Sequence, residues 1–505
     1  METAMTAAAG KASVFDLFCA TVRRDPEAVA IRSAAGVVSY RALHGRVVAL
    51  AAALAERGVG MGDRIALLSE NRQEYAEVQL AAAALGAIVA CQNWRLEREE
   101  LLHCIALVEP VLALHSARFG AAWRATRYDC PALEIEAAWP SMLATAPVAM
   151  PKVDPEAGLI ILYTSGTTGL PKGALISHRA EIARMCAYRM DLAVAPRDGF
   201  LAWAPMFHMG STDQVLTTLM MGGIVHVLDG FDARGIVDIM AGYHLGWLLL
   251  MPGTIEPVVE ILAREGTQVK GVRAIGAMLD LVPLDLAAEL ARLSGSGYLN
   301  SFGSTETGLP PCSVMTMTAE ELRKGKLSKR LSAMIDAILV DEDGNEVPDG
   351  TPGEMAVRGP TVFSGYWNAA ATNEKDFRGG RFRMGDMFVR NADGTFDFVD
   401  RAKYMIKSGG ENIYPAEIER VLLADARIRD AVVVRKKDDR WGEVPVAFVA
   451  RKGEEIDEAG IEALCRAALA GYKRPKQVFF IAYEDLPRST TGKIQRHELE
   501  ARLKG

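Results

Sequence analysis

Several features that mark other protein classes are missing from this chain of 505 residues. It has seven cysteines, which are scattered and form no Cys-x-x-Cys pair, and its eight histidines show no zinc-type spacing. Reduced thiols in a cytoplasmic protein therefore fit the sequence better than a disulfide framework or a zinc site. The N-terminus also lacks a basic region followed by an apolar one, so no secretory signal peptide is predicted.

The charge and the apolar runs exclude further classes. A formal net charge of −7 gives no electrostatic reason to expect nucleic acid or an anionic membrane as a partner. The longest apolar run, around residues 78–91, is too short for an integral membrane segment and predicts a buried helix that leads into a strand. The composition, 50% hydrophobic and 24% charged, is ordinary for a globular protein, and the length predicts two or more domains.

The order of the apolar runs predicts the fold class. Strand-like and helical stretches alternate from residue 13 to about residue 305, which predicts an α/β fold with doubly wound parallel sheets. Short runs broken by Asp-Gly turns between about 331 and 400 predict a small β-rich lobe. The residues from 401 to 505 mix helix and strand again. We therefore predict a large N-terminal domain, residues 1–400, and a smaller α+β C-terminal domain, residues 401–505.

A polar, glycine-rich stretch, residues 163–173, follows an apolar run at 159–162 and reads Tyr-Thr-Ser-Gly-Thr-Thr-Gly-Leu-Pro-Lys-Gly. Its hydroxyls and backbone amides can donate to phosphate oxygens, its glycines allow close approach, and Lys172 adds a positive charge. The stretch predicts a polyphosphate cradle that is not of the Walker type. Residues 174–190, directly after it, have the length of a helix. A plain polar turn between a strand and a helix is the alternative.

Two later motifs offer groups for the rest of a nucleotide. Residues 300–308 contain glycines that permit a tight turn, then Thr305 and Glu306, whose hard oxygens suit Mg²⁺ carrying ATP phosphates. Residues 382–386, Phe-Arg-Met-Gly-Asp, place the Asp386 carboxylate beside a glycine, where it can accept both hydroxyls of a ribose. A solvated loop and a turn aspartate are the ordinary alternatives for these two motifs.

These motifs, with residues 400–419 and 487–496, resemble in order and spacing the signature motifs of the adenylate-forming superfamily, which includes acyl-CoA synthetases, peptide adenylation domains and luciferases. The resemblance covers roughly residues 20–500. It implies an ATP-dependent carboxylic acid–CoA ligase that uses ATP, Mg²⁺ and coenzyme A. The carboxylate would attack the α-phosphorus of ATP to give an acyl-adenylate and pyrophosphate. The CoA thiol would then displace AMP, after a mobile C-terminal domain has rotated about Lys403.

The resemblance also implies a set of functional residues. Its catalytic residues are Lys493, Glu306, His208, Thr164 and Lys172, of which Glu306 and Thr164 also hold the metal. Its residues for binding the nucleotide and CoA are Thr164, Ser165, Gly166, Thr167, Thr168, Gly169, Lys172, Gly276, Ala277, Met278, Ser301, Phe302, Gly303, Ser304, Thr305, Asp386, Phe398, Arg401, Lys403, Lys407, Ser408, Gly409, Gly410, Glu411, Trp441, Tyr472, Arg474, Lys476 and Lys493.

The C-terminal motifs divide between the two half-reactions. Lys493 would reach the substrate carboxylate and the α-phosphate during adenylation, since both reactants are anionic and charge builds up in the transition state. Gly409 and Gly410 would line the tunnel used for thioester formation. Residues 472–476 and Trp441 would hold the CoA nucleotide, with a solvated basic turn as the alternative.

The chain departs from the family pattern at some positions. Phe302 replaces the commoner tyrosine, which retains stacking on adenine but removes a phenol hydrogen bond. Met384 replaces a threonine before Asp386, and Asp400 replaces the usual glycine before Arg401.

The acyl pocket would be lined from residues 206–211, 276–278 and 302–309, which include no lysine or arginine. Such a pocket predicts an apolar medium-chain fatty or aryl acid and disfavours a dicarboxylate, which would want a cation there. His208 would be the gate beside this pocket, with a plain core histidine as the alternative. The sequence identifies neither the individual acid nor the oligomeric state, and a homodimer is left open.

Other functions stay open at this point. The nearest is an adenylation enzyme that loads an acyl or amino acid onto a carrier protein. An amino-acid enzyme would need an acidic group for the amine, and Asp213 is the only candidate in the segment after Trp203. A luciferase-like oxygenase is another alternative. Intact Lys172, Glu306, Asp386 and Lys493 disfavour a protein that binds nucleotide without adenylating anything.

Overall fold

The computed structural model describes residues 10–164, 170–251, 253–276, 279, 282–453, 455–488 and 494–503. The chain folds into two compact units. Unit 1 comprises Met1–Ala337 and Val357–Phe382, and unit 2 comprises Ile338–Ala356 and Arg383–Gly505. None of the helices in the described ranges is long and apolar enough to cross a membrane.

The first part of unit 1 alternates strands and helices. Its strands are β1 Val29–Ser33, β2 Gly36–Ser39, β3 Arg64–Leu68, β4 Ile88–Cys91, β5 Leu112–His115, β6 Ala132–Glu134, β7 Gly158–Thr164, β8 Lys172–Ser177, β9 Gly199–Ala202, β10 Val225–Val227, β11 Leu245–Leu248, β12 Val272–Ile275, β13 Gly297–Leu299, β14 Phe302–Ser304, β15 Gly308–Cys312 and β16 Thr316–Met317. Its helices are α1 Val14–Arg24, α2 Tyr40–Glu56, α3 Gln73–Leu85, α4 Arg98–Val108, α5 Gly120–Thr126, α6 Ile135–Leu143, α7 His178–Leu192, α8 Met209–Met221, α9 Ala233–Gly242, α10 Ile255–Glu265, α11 Leu284–Ser294 and α12 Ala319–Arg323.

Two large sheets organise unit 1. One has the strand order β6-β5-β3-β4-β7-β8 and is parallel except for β8, which runs antiparallel to β7. The other has the order β16-β13-β12-β11-β9-β10-β1-β2 and is antiparallel only at its two outermost pairs. A separate antiparallel pair is formed by β14 and β15. The predicted α/β fold with parallel sheets is confirmed.

Local signals in the sequence explain several of these elements. The Ser39 side chain accepts a hydrogen bond from the Ala42 amide and starts α2, as its capping chemistry predicts. Helix α3 is buried on all sides and ends at Gly86, whose left-handed backbone (φ 70°) leads the chain into β4. The predicted buried helix followed by a strand is therefore confirmed.

The prediction of a helix over residues 174–190 is wrong in its first part. Residues Lys172–Ser177 form β8, whose Ile176 lies opposite Ile160 of β7, and the helix begins only at His178. Ser177 stops the strand and caps α7, because its side chain accepts from the Ala180 amide. The prediction depended on the length of the stretch, which did not reveal this short antiparallel strand. A short apolar run fits a strand as well as a helix.

The rest of the chain contains mostly strands up to residue 401 and a mixed region beyond it. These elements are β17 Asp336–Val340, β18 Gly353–Arg358, α13 Ala370–Asp376, β19 Phe377–Arg378, β20 Arg381–Arg390, β21 Phe396–Arg401, β22 Ile406–Ser408, β23 Glu411–Ile413, α14 Pro415–Leu423, β24 Ile428–Asp438, β25 Gly442–Arg451, α15 Glu458–Ala468, β26 Gln477–Phe480 and α16 Arg496–Arg502. The chain passes between the units inside β17, β18 and β20. The predicted β-rich stretch is confirmed.

One sheet with two apolar faces forms the core of unit 2. Its strand order is β23-β22-β25-β24, with β26 parallel to β25. Val433 and Val449 belong to a buried cluster on one face that also includes Ile418 of α14. Val432 and Phe448 belong to a second cluster with Leu499 of α16. Successive strand residues point to opposite faces, so the near-continuous apolar runs of β24 and β25 serve both clusters.

Candidate active site

The predicted metal carboxylate lies on a turn between two short strands of unit 1. Residues 305–307 connect β14 to β15, and the Thr307 hydroxyl donates to the Pro310 carbonyl oxygen at 2.5 Å inside this turn. A Cβ on Gly303 would lie 2.1 Å from the Gly308 carbonyl oxygen, so only glycine allows the strands this separation. Thr307 is buried, whereas Thr305 and Glu306 remain partly exposed.

The Glu306 carboxylate is oriented by a tyrosine outside all the sequence motifs. The Tyr366 hydroxyl donates to Glu306 Oε1 at 2.7 Å, and Lys172 Nζ lies 4.2 Å from the centre of the Tyr366 ring. Lys172 Nζ is also 3.9 Å from Asp376 Oδ2. Tyr366 therefore contacts both the lysine predicted for phosphate and the carboxylate predicted for the metal. No sequence signal revealed Tyr366, since the bonded residues are 60 positions apart.

The ends of the predicted phosphate loop are fixed by a strand pairing. Thr164 at the end of β7 lies opposite Lys172 at the start of β8, so their side chains share one face of the antiparallel pair. The residues between them, Ser165, Gly166, Thr167, Thr168 and Gly169, lie outside the described residues.

Mg²⁺ and ATP fit the groups that the structure describes here. Carboxylate and hydroxyl oxygens are the ligands that Mg²⁺ prefers, and Glu306 and Thr164 supply one of each on partly exposed side chains. A carboxylate has about four acceptor sites, so the hydrogen bond from Tyr366 leaves sites on Glu306 for a metal ion. Lys172 supplies a cation suited to phosphate oxygens.

A buried arginine of α7 binds the backbone of the turn that carries Glu306. Arg184 of α7 donates from Nη2 to the Thr305 carbonyl oxygen at 3.0 Å and from Nε to the Thr361 carbonyl oxygen at 3.2 Å. Its Nη1 lies 2.9 Å from Asp213 Oδ2, and both side chains are buried. Asp213 is therefore already paired with a cation, which disfavours the amine-binding role considered for an amino-acid enzyme.

Removing the Arg184 charge should destabilise unit 1 strongly. Arg184 Nη1 lies 2.9 Å from Asp213 Oδ2 and both side chains are buried, so Arg184 is the cation that compensates Asp213. Arg184→Met should cost about 3–5 kcal/mol of unfolding free energy, because it leaves a buried carboxylate unpaired. Urea unfolding measures this. The control is Arg189→Met on the exposed side of the same helix, which should change stability by less than about 0.5 kcal/mol. Equal effects would contradict the role given to Arg184.

The segment predicted to line the acyl pocket, residues 206–211 (the acyl loop), is held at its start by a buried asparagine. Asn71 Nδ2 donates to the Ala204 carbonyl oxygen at 2.8 Å, and Asn71 Oδ1 accepts from the Met206 amide at 2.8 Å. His208 follows this loop, is only half-buried, and lies 4.5 Å from Phe207 between ring centres. Its partial exposure disfavours the plain core histidine that was the alternative for this residue.

The remaining predicted residues of unit 1 lie around these elements. Phe302 and Ser301 are buried and Ser304 is half-buried. A Cβ on Gly276 would lie 2.3 Å from the Tyr298 ring, and its carbonyl accepts from the Trp247 indole at 2.7 Å. Ala277 and Met278 lie outside the described residues.

The residues predicted for the ribose belong to unit 2. Asp386 of β20 lies opposite Arg401 of β21, and Arg401 Nε is 2.8 Å from Asp386 Oδ1. Phe398 is the cross-strand partner of Phe388 on the same hairpin. The structure thus brings Asp386, Phe398 and Arg401 onto one strand pair.

Asp400, where the family pattern has glycine, has a structural role. Its Oδ2 accepts from the Ala416 amide at 2.7 Å in the first turn of α14, and its Oδ1 accepts from the Arg401 amide at 2.6 Å. A carboxylate near a helix N-terminus stabilises the helix through the helix dipole.

The predicted hinge residue, Lys403, lies close to this carboxylate in the chain. Burial raises the pKa of Asp400 and lowers that of Lys403. The Lys403 carbonyl accepts from Arg435 at 2.8 Å.

The predicted tunnel glycine and the predicted CoA tryptophan are neighbours. Gly409 has a left-handed backbone (φ 59°), and its amide donates to the Trp441 carbonyl oxygen at 2.8 Å. A Cβ on Gly409 would lie 2.7 Å from Trp441 Cε3. The surrounding hairpin holds the other predicted residues of this motif, Lys407, Ser408, Gly410 and Glu411. Lys407 Nζ is 2.6 Å from Glu342 Oε1.

The residues predicted for the CoA nucleotide differ in exposure. Tyr472 and Lys476 are exposed, whereas Arg474 is half-buried and donates from Nε to the Leu469 carbonyl oxygen at 3.1 Å. Lys493 lies outside the described residues. Arg496, three positions beyond it, donates to Glu419 Oε2 at 2.9 Å and to the Val433 carbonyl oxygen at 2.7 Å. These bonds fix the chain just after the predicted catalytic lysine.

Family models and known proteins match nearly the whole chain. Residues 18–367 match the model of the AMP-binding enzyme, and residues 417–493 match that of the AMP-binding enzyme C-terminal domain. Indoleacetate–CoA ligase from Aromatoleum aromaticum is 33% identical, covering 94% of this chain and 95% of that protein. Feruloyl-CoA synthase from an Amycolatopsis species is 32% identical, covering 95% and 97%. The structure of ATP-bound MatB from Rhodopseudomonas palustris has a TM-score of 0.83 at 26% identity, covering 98% and 99%.

The parallel α/β unit, the separate C-terminal unit and these matches define a class of enzymes that activate acids with ATP. The chain belongs to the AMP-binding enzyme family. It is an ATP-dependent acid–CoA ligase that works through an acyl-adenylate and uses ATP, Mg²⁺ and CoA.

Proposed function

We propose that the acid is an aryl carboxylic acid, and that its adenylation uses Thr164, Lys172 and Glu306 of unit 1 with Lys493 of the C-terminal region. The observation that carries the residue assignment is the contact of Tyr366 with both Glu306 and Lys172. The names of two relatives, indoleacetate–CoA ligase and feruloyl-CoA synthase, support the aryl acid.

The residues of unit 1 suit the leaving group of the first half-reaction. Lys172 and the hydroxyl of Thr164 would bind the β- and γ-phosphates, which leave as pyrophosphate. Glu306 and Thr164 would hold Mg²⁺, which supplies charge neutralisation at those phosphates. Lys493 would contact the substrate carboxylate and the α-phosphate, where negative charge accumulates in the transition state.

Other residues of unit 2 would bind the ribose and CoA. Asp386 and Arg401 would bind the ribose of the nucleotide, and Gly409 would border the path of the CoA thiol in the second half-reaction. Trp441, whose side chain is 42% exposed beside Gly409, would contact the CoA adenine. We propose that a C-terminal domain starting at residue 401 rotates about Lys403 between the two half-reactions, as predicted from the sequence.

The composition of residues 206–211 disfavours a dicarboxylate. These residues include no lysine or arginine that could compensate a second carboxylate. Met206 and Phe207 are buried in the loop that Asn71 fixes, and Trp94 lies edge-on to Phe207 at 5.8 Å between ring centres. Aromatic side chains of this kind favour contact with a flat aryl group.

A panel of acids tests this proposal directly. Pyrophosphate release without CoA should be fastest with aryl acids, because rigid aromatic groups match aromatic pocket walls, and thioester should form only when CoA is added. The panel contains short, medium and long fatty acids, aryl acids, a dicarboxylate and amino acids, compared by kcat/KM. A preference of at least tenfold for an aryl acid is expected, which corresponds to about 1.4 kcal/mol. A medium-chain fatty acid as the best substrate would overturn the aryl assignment.

Two further expectations complete the proposal. We place the enzyme in the cytoplasm, which the scattered, unpaired cysteines support. The sequence left a homodimer open, and light scattering on the purified protein measures its mass against the 54.6 kDa of one chain.

A further inference from the structure

We propose that Tyr366 is a positioning residue that sets the Glu306 carboxylate and the Lys172 ammonium for the Mg²⁺-bound phosphates of ATP. This inference rests on the proposed function of those two residues. The phenol hydroxyl donates to Glu306 Oε1 at 2.7 Å, while Lys172 Nζ lies 4.2 Å from the ring centre. One side chain therefore contacts an anion through its polar tip and a cation through its ring.

Tyr366 is itself held rigidly. Asn373 clamps its backbone, since the Tyr366 amide donates to Asn373 Oδ1 at 2.8 Å and Asn373 Nδ2 donates to the Tyr366 carbonyl oxygen at 2.9 Å. The tyrosine is 7% exposed, and its ring packs edge-on against Phe363 at 4.9 Å between ring centres. A side chain fixed in this way can transmit a defined geometry to its partners.

The segment around Tyr366 joins the two parts of the site through the backbone. On one side, the Trp367 amide donates to the Gly173 carbonyl oxygen at 2.8 Å, next to Lys172 on β8. On the other side, the Phe363 amide donates to the Glu306 carbonyl oxygen at 2.8 Å. Residues 363–367 thus connect the strand that carries the lysine to the turn that carries the glutamate. Tyr366 lies in the middle of this connection.

The two contacts of Tyr366 have different electrostatic effects. The hydrogen bond to a carboxylate is charge-assisted and directs one Glu306 oxygen toward the phenol. The electron-rich ring face attracts Lys172 and holds its ammonium 4.2 Å from the ring centre, with Asp376 Oδ2 3.9 Å from the same ammonium. Tyr366 therefore orients a carboxylate and an ammonium at the same time.

Two substitutions separate these effects. Tyr366→Phe removes the hydrogen bond but keeps the ring beside Lys172. Its affinity for Mg-ATP should fall roughly tenfold, the size expected for a lost hydrogen bond to a charged group. Tyr366→Leu also removes the ring and should lower the affinity further. AMP lacks the β- and γ-phosphates, so its affinity should change less than twofold in both variants.

Titration calorimetry with Mg-ATP and with AMP measures both affinities without any acid or turnover. The acid panel can therefore fail while this test succeeds, and the reverse is also observable. Tyr40→Phe is the matched control, because its hydroxyl donates to the buried Gly223 carbonyl oxygen at 2.8 Å elsewhere in unit 1. The control should leave the ratio of the ATP and AMP affinities unchanged. An equal loss of both affinities in Tyr366→Phe, or no loss at all, would overturn the proposal.

Discussion

Lys493→Ala should slow pyrophosphate release by roughly 10²–10³, the usual loss for one preorganised donor to a developing charge. Both the attacking carboxylate and ATP are anionic, so the lysine is needed where they meet. Thioester formation from supplied acyl-adenylate should remain nearly intact, because the phosphorus–oxygen bond to pyrophosphate is already broken. The two half-reactions are measured separately, by pyrophosphate release without CoA and by thioester formation from acyl-adenylate.

Lys437→Ala is the matched control for this experiment. Lys437 is an exposed lysine on β24 of the same unit and lies outside the predicted motifs. It should leave both half-reactions unchanged, since an exposed charge of this kind contributes little. If Lys493→Ala slowed both half-reactions equally, the assignment of this lysine to adenylation alone would be wrong.

Gly409→Leu should produce the opposite result, loss of thioester formation with adenylation retained. Gly409 has φ 59°, which a leucine adopts only with strain, and a Cβ there would lie 2.7 Å from Trp441 Cε3. The tryptophan or the hairpin must shift, and displacement of about 1 Å near a reacting group costs roughly 10²-fold in rate. Thioester formation from supplied acyl-adenylate should fall by about that factor.

The control for Gly409→Leu must carry the same backbone strain without the contact. Gly394 has φ 77° on the β20–β21 hairpin, and a Cβ there would have no atom within 4 Å. Gly394→Leu should therefore lower stability without changing the ratio of the two half-reactions. Unchanged thioester formation in Gly409→Leu would contradict the assignment of Gly409 to the path of the thiol.

The structure explains why the chain can depart from the family pattern at Asp400. The carboxylate accepts from the Ala416 and Arg401 amides, so it joins the end of β21 to the start of α14 beside the predicted hinge. A glycine could not make these bonds. The sequence showed only the replacement, because Asp400 and Ala416 are 16 positions apart and their contact depends on the fold.

The buried polar residues that support the predicted site could not be predicted from the motifs. Arg184, Tyr366 and Asn71 each hold a predicted functional segment, yet none stands in a motif that the sequence revealed. Glycines, hydroxyls and charges that face a ligand follow one another along the chain, so their spacing is visible. Supporting residues come from distant elements, and their spacing carries no pattern.

The sequence by itself determined the α/β class, the parallel sheets, the β-rich stretch and the membership in a family of acid-activating enzymes. Those conclusions depend on local periodicity and on contiguous motifs, which the order of residues contains directly. Tertiary structure alone decided that residues 172–177 form a strand, that Asp213 is neutralised by Arg184, and that Gly409 lies against Trp441. Each of these facts is a contact between separate segments of the chain, and such contacts are set by packing.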